Sequence, residues 1–106
     1  MSGQLRNVKG TKDLLPADYH MHQKVIELSK KLATSYNYHE MAVPLLEYPE
    51  VFSRTLGETS DVVSKEMYQV IARGGETLTL RPEFTAGIAR SFITNNLFDH
   101  LPLKFF

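Results

Sequence analysis

The 106-residue chain carries twelve Lys and Arg against twelve Asp and Glu, with 42% hydrophobic, 10% aromatic and 23% charged residues. This globular balance argues against disorder, collagen-like sequence and low complexity, and against the global basic excess that marks many nucleic-acid binders. The length fits one compact unit or a piece of one, and the absence of cysteine excludes disulfide frameworks, thiolate metal sites and thiol nucleophiles, as in a cytosolic fold held by packing.

Residues 1–16 contain Gly3, Gly10 and Pro16 and no apolar period, which predicts an extended, partly ordered arm. No apolar leader opens the chain, and no apolar run approaches the roughly 20 residues that span a bilayer, so a soluble, cytoplasmic protein with no membrane partner is expected. Met21, Val25, Leu28, Leu32 and Tyr36 recur at the spacing of one helix face, predicting a helix over 17–35. Pro16 or Ala17 suits its first turn, and Asn37, Tyr38 and His39 end it. Met41, Val43 and Leu45 then alternate with Glu40, Ala42 and Pro44 as in a short strand, and Pro44, which has no N–H, predicts an edge position or an early end.

Pro49 opens a short helix holding Val51, Phe52 and Leu56, with Gly57 where a cap would sit. Residues 66–73 and 76–81 flank Gly74-Gly75, predicting an antiparallel hairpin on a two-glycine turn. A second long helix follows, with Ile88, Phe92 and Ile93 continuing it to about Leu97. Leu103-Lys104-Phe105-Phe106 reads as the opening of a further strand, so the chain is expected to stop within an element. Charge is uneven, with residues 1–31 at net +3 and residues 40–66 at net −4; ordinary solvated faces account for both.

Chemistry is sparse in the pattern. His20 and His22 lie two apart on a helix and point to different sides, so no metal site is expected among His20, His22, His39 and His100. Local sequence suggests no nucleophilic triad, and Gly74-Gly75 lacks the Gly-Lys-Ser/Thr of a phosphate loop. No catalytic residue is therefore named. Arg81-Pro82-Glu83-Phe84-Thr85 is more informative, because a strand running straight into a helix start places the Glu83 carboxylate and the Thr85 hydroxyl where they can meet a cavity. Glu83 there either receives an ammonium or stabilises the positive end of its own helix, and Thr85 either joins it or bonds within its own turn. The apolar Val62, Val63 and Met67 read as core.

Four stretches, in order and spanning nearly the whole chain, together resemble the histidyl-tRNA synthetases, a class II aminoacyl-tRNA synthetase family. Lys9-Gly10-Thr11-Lys12-Asp13-Leu14-Leu15-Pro16 is similar to the family's N-terminal Arg-Gly-Thr-x-Asp-x-x-Pro signature, with Lys9 where arginine is usual. The first helix and Met41 to Pro44 resemble class II motif 1, the dimer interface, with Pro44 as its proline. Leu56-Gly57-Glu58 with Asp61 to Tyr68 is similar to a run particular to the family. Thr79-Leu80-Arg81-Pro82-Glu83-Phe84-Thr85-Ala86 resembles Arg-Pro-Glu-Gly-Thr-Ala, with Phe84 in the glycine's place, which adds bulk there.

The resemblance implies that Glu83 and Thr85 hold the α-ammonium of histidine, with the backbone at Phe84 shaping that wall, and that Lys9, Gly10 and Thr11 belong to a tRNA-side arm. It implies partners histidine, ATP and tRNA(His), a homodimer through motif 1, and ATP with Mg²⁺ as the requirement of the parent enzyme, with neither bound by these residues alone. The Phe-Arg-x-Glu stretch of motif 2, which grips the ATP phosphate, is expected beyond Phe106. Residues 1–106 thus read as the N-terminal portion of a class II catalytic domain, truncated before motif 2 and inactive by itself. The expected fold is α+β: a partial class II antiparallel sheet with flanking helices, in the order long helix, strand, short helix, β-hairpin, helix, leaving a hairpin edge open. The alternatives are the synthetase-like regulatory subunit of ATP phosphoribosyltransferase in histidine biosynthesis and a bare dimerisation module.

Overall fold

The apolar period from Met21 to Tyr36 is realised as α1, Pro16–Ser35, in a computed structural model that describes residues 3–56 and 67–106. Pro16 stands at the first helical position after an extended Leu15, where its missing N–H has no helical partner to lose. The far end closes on Asn37, whose φ of 65° lies in the left-handed region. There the Asn37 N–H reaches the Thr34 carbonyl and the Tyr38 N–H the Ala33 carbonyl, each at 3.0 Å, the paired bonds of a Schellman stop.

The chain divides into two compact units, residues 1–40 with 104–106, and residues 41–103. In the first unit, residues 3–15 form the expected arm without regular structure. The arm turns once: the Thr11 N–H donates to the Val8 carbonyl at 2.9 Å with Gly10 at φ +89°, a turn that needs a residue without Cβ at its third position. No residue of α1 is buried. Beyond the helix His39 forms an isolated parallel bridge with Phe105, and Lys30 pairs with Glu40 at 2.8 Å. That single bridge is the only pairing made by the expected terminal strand over Leu103–Phe106 among the described residues.

The second unit holds a three-stranded antiparallel sheet in the order β1-β3-β2, where β1 is Leu46–Glu47, β2 is Tyr68–Ile71 and β3 is Thr77–Leu80. The strand expected over 41–45 is displaced: regular pairing covers only Leu46 opposite Leu80 and Glu47 opposite Thr79. Alternation of side chains marks a candidate strand, but pairing depends on where β3 offers free groups, and Pro44 has no N–H to give in return. The edge position expected for it does hold, since β1 borders the sheet.

The hairpin is present with a different turn from the one expected. The Gly75 N–H donates to the Ala72 carbonyl at 2.9 Å and the Ala72 N–H to the Glu76 carbonyl at 2.8 Å, so Arg73 and Gly74 are the turn centre. Gly75, at φ +88°, is the left-handed residue that rejoins the ladder, the three-residue loop with a glycine bulge. β2 borders the sheet on its other side with every residue exposed, and among the described residues nothing pairs with its outer edge.

Two helices cover the sheet, α2 at Pro49–Leu56 and α3 at Thr85–Thr94. Phe52 and Ala86 bring them together and are the fully buried apolar side chains among the described residues. α3 stops three residues short of the expected Leu97 because Asn96 takes φ 52°, and the Asn95 side chain bonds back to the Ser91 carbonyl at 2.9 Å. A 3₁₀ turn, Leu97–His100, follows and sets Phe98 edge-on to Phe92 at 4.7 Å. Gly57, Val62, Val63 and most of the family-particular run lie outside the described residues. No helix among those described is long and apolar enough to cross a membrane.

Candidate functional site

The junction of β3 and α3 brings Glu83, Phe84 and Thr85 together. β3 ends as the Arg81 N–H donates to the Leu45 carbonyl at 3.0 Å, and Pro82 forbids continuation of the ladder. The chain bends and α3 starts. There the Glu83 carboxylate accepts the Thr85 N–H through Oε2 and the Ala86 N–H through Oε1, each at 2.8 Å. The helix-start role weighed from sequence is thus one that Glu83 performs, with a geometry that satisfies two of the four unpaired donors of the first turn.

That bonding leaves a second lone pair on each carboxylate oxygen. Thr85 is exposed, and among the described residues its hydroxyl makes no hydrogen bond, so the expected bond within its own turn is made by its N–H and not by its side chain. Phe84 adopts φ −99° and ψ −31°, a backbone any residue takes up, so the bulk that replaces the family's glycine strains nothing. Its ring is covered by the Arg81 guanidinium at 5.0 Å from the centroid, and Arg81 Nη1 also donates to the Val43 carbonyl at 3.0 Å. Arg81 is therefore spent on the framework.

Sequence reasoning missed a second cluster. Glu47, counted among the solvated acids of residues 40–66, is 8% exposed. Arg90 of α3 meets it side-on, with Nε at 3.0 Å from Oε1 and Nη2 at 3.0 Å from Oε2. A carboxylate with so little access to water needs a partner to offset its desolvation, and the Arg90 fork supplies it. A carboxylate placed between Leu45-Leu46 and Tyr48-Pro49 was the available signal; its partner 43 residues away was not legible.

The other expected positions lie apart from this junction in sequence. Pro44 is exposed, ahead of β1, and Lys9, Gly10 and Thr11 form the exposed turn of the arm.

Comparison with known proteins agrees with the pattern of motifs. The profile of the histidyl-tRNA synthetase family matches residues 10–105. The histidine–tRNA ligase of Rickettsia canadensis (strain McKiel) is 50% identical over 106 residues, all of this chain and 26% of that protein, and that of Rickettsia bellii (strain RML369-C) is 49% identical over the same shares. The chain spans about a quarter of the length of the curated relatives it matches. Among solved structures, apo histidyl-tRNA synthetase of S. aureus superposes with a TM-score of 0.77 at 31% identity, covering 95% of this chain and 23% of that one. An ATP phosphoribosyltransferase regulatory subunit/histidyl-tRNA synthetase from Bacillus halodurans superposes with a TM-score of 0.80 at 25% identity, covering 99% and 27%.

Proposed function

The chain belongs to the histidyl-tRNA synthetase family, and from that premise we propose that it supplies one wall of the histidine pocket and the subunit-contact face of a histidine–tRNA ligase. Such an enzyme activates histidine with ATP and Mg²⁺ and passes it to tRNA(His). The observation that carries this reading is the Glu83 carboxylate, held by two backbone donors at 2.8 Å. A substrate ammonium leaving water needs an anion already in place, and a carboxylate fixed in this way does not reorganise when the cation arrives. Thr85 Oγ1 adds a neutral acceptor beside it, and the backbone at Phe84 forms the wall between them.

By the same reading Pro44 belongs to the motif 1 dimer contact, and the Lys9-Gly10-Thr11 turn to the tRNA side. The homodimer, ATP binding and a cytoplasmic location are parts of this proposal. No three His, Cys, Asp or Glu side chains that could hold a metal come together among the described residues.

The test is histidine-dependent ATP–pyrophosphate exchange by the whole protein that carries this sequence. A bond to a charged group is worth about 1.5–3 kcal/mol, so Glu83→Ala is expected to raise the histidine KM or lower turnover about tenfold or more. Unchanged kinetics would remove Glu83 from the site. The Bacillus halodurans neighbour supports a second reading, a regulatory subunit of ATP phosphoribosyltransferase. No exchange, together with stimulation of that transferase, would favour it.

A further inference from the structure

α3 opens on Thr85 and holds the carboxylate of Glu83, two residues ahead of it, by its first N–H groups, yet those bonds are local and travel with the helix. Orientation relative to the sheet has to come from elsewhere. Beside the packing of Phe52 and Ala86 between α2 and α3, two contacts supply it, and both involve β1 or the residues just ahead of it. Arg90 grips the Glu47 carboxylate through two nitrogens at 3.0 Å, and Gly87 packs so closely on Val43 that a Cβ there would stand 2.9 Å from Val43 Cγ2. Glu47 is itself immobilised: it is buried, and it is paired in the ladder with Thr79, whose side chain is fully buried on the central strand. Arg90 is held on its free side by Thr94, through Nη1 to Oγ1 at 3.0 Å.

A planar guanidinium engaged side-on by a carboxylate resists both rotation and sliding, which a single contact or a lysine would not. We propose that Glu47 and Arg90 are positioning residues for the amino-acid site, setting through α3 the place at which Glu83 and Thr85 receive the substrate ammonium. This rests on the histidine-binding reading of Glu83. Glu47 and Arg90 bond to each other and to Thr94, not to Glu83 or Thr85, and so act through the helix. Their effect is confined to the part of the substrate that Glu83 and Thr85 recognise, and a purely structural pair would show no such selectivity.

The experiment compares two ligands in the whole protein: histidine, through the KM in ATP–pyrophosphate exchange, and 3-(imidazol-4-yl)propanoate, which lacks the α-amino group, as a competitive inhibitor. Glu47→Gln keeps the shape of the carboxylate and removes its charge. It is expected to raise the histidine KM between about tenfold and hundredfold, the range set by misplacing a binding group by up to 1 Å, and to leave the inhibition constant of the des-amino analogue within about twofold. Arg90→Lys, which keeps the charge and loses the fork, is expected to fall between Glu47→Gln and the unaltered protein.

Equal weakening of both ligands, or no change in either, would overturn the inference while leaving Glu83 in the site. Should Glu47→Gln fail to fold, Arg90→Lys is read by the same comparison with the same two outcomes. An unaltered protein with no histidine-dependent exchange would overturn the proposed function, and this inference with it.

Discussion

Gly87 shows how one side chain's absence is used for room and not for conformation. Unlike Gly10 and Gly75 it has no positive φ, and it sits inside α3, where alanine would ordinarily be better by about 1 kcal/mol. An added Cβ, however, would lie 2.9 Å from Val43 Cγ2 and 3.4 Å from Glu47 Oε2. Valine is stiff at χ1 and Glu47 is tied to Arg90, so neither yields easily. Overpacking of this kind costs about 1–3 kcal/mol, more than the propensity gain. Gly87→Ala is therefore expected to lower the denaturation midpoint of the whole protein, and an equal or higher midpoint would mean that α3 can ride away from Val43 at no cost. None of this was visible in Thr85-Ala86-Gly87, because the atoms that crowd the glycine lie 40 or more residues earlier.

Between elements, Tyr48 and Glu76 join the end of β1 to the start of β3, through a phenol that donates to Glu76 Oε2 at 2.9 Å. The Glu76 carboxylate raises the Tyr48 pKa above the ordinary 10.0, first by accepting that bond and then by its charge, with desolvation and Glu50 adding to the shift. The folded protein thus favours the neutral phenol. The stabilisation is fully present below the ordinary tyrosine value and is lost as pH rises through the higher folded value. Ultraviolet titration should reveal a late-ionising tyrosine that disappears in Tyr48→Phe, and the stability gap between the two proteins should close in strong alkali. Identical titration curves would show the bond to be unformed in solution. At this scale the two helix starts at proline and the hairpin were legible, since each is set by local backbone preference. The turn centre, the two-residue length of β1 and the stop of α3 at Asn96 were not, because each depends on which hydrogen-bond partners neighbouring backbone leaves free.

At the scale of the molecule, many large apolar side chains among the described residues are left uncovered. Met21, Val25, Leu28, Leu32 and Tyr36 make one stripe along α1, and every one of them is exposed. A continuous stripe of this kind on a soluble helix marks an interaction surface, and in this family a second subunit is the proposed occupant. Light scattering on the whole protein should therefore report a dimer. Val25→Glu with Leu32→Glu, which places two carboxylates in the stripe, should shift it toward monomer without loss of helix signal. A clean monomer of the unaltered protein at high concentration would count against the motif 1 contact.

Periodicity and punctuation determined the α+β class and the order of elements, and four short motifs carried the family resemblance, because each of these is written in residues close together along the chain. Glu83 was also identifiable from sequence, as an acid at a strand-to-helix junction. The tertiary structure decided what that acid is bonded to, that Arg81 is engaged by Val43 and Phe84, and that Glu47 is a buried partner of Arg90 and not a solvated charge. Those outcomes turn on solvent exclusion and long-range approach, which no local pattern of residue types encodes.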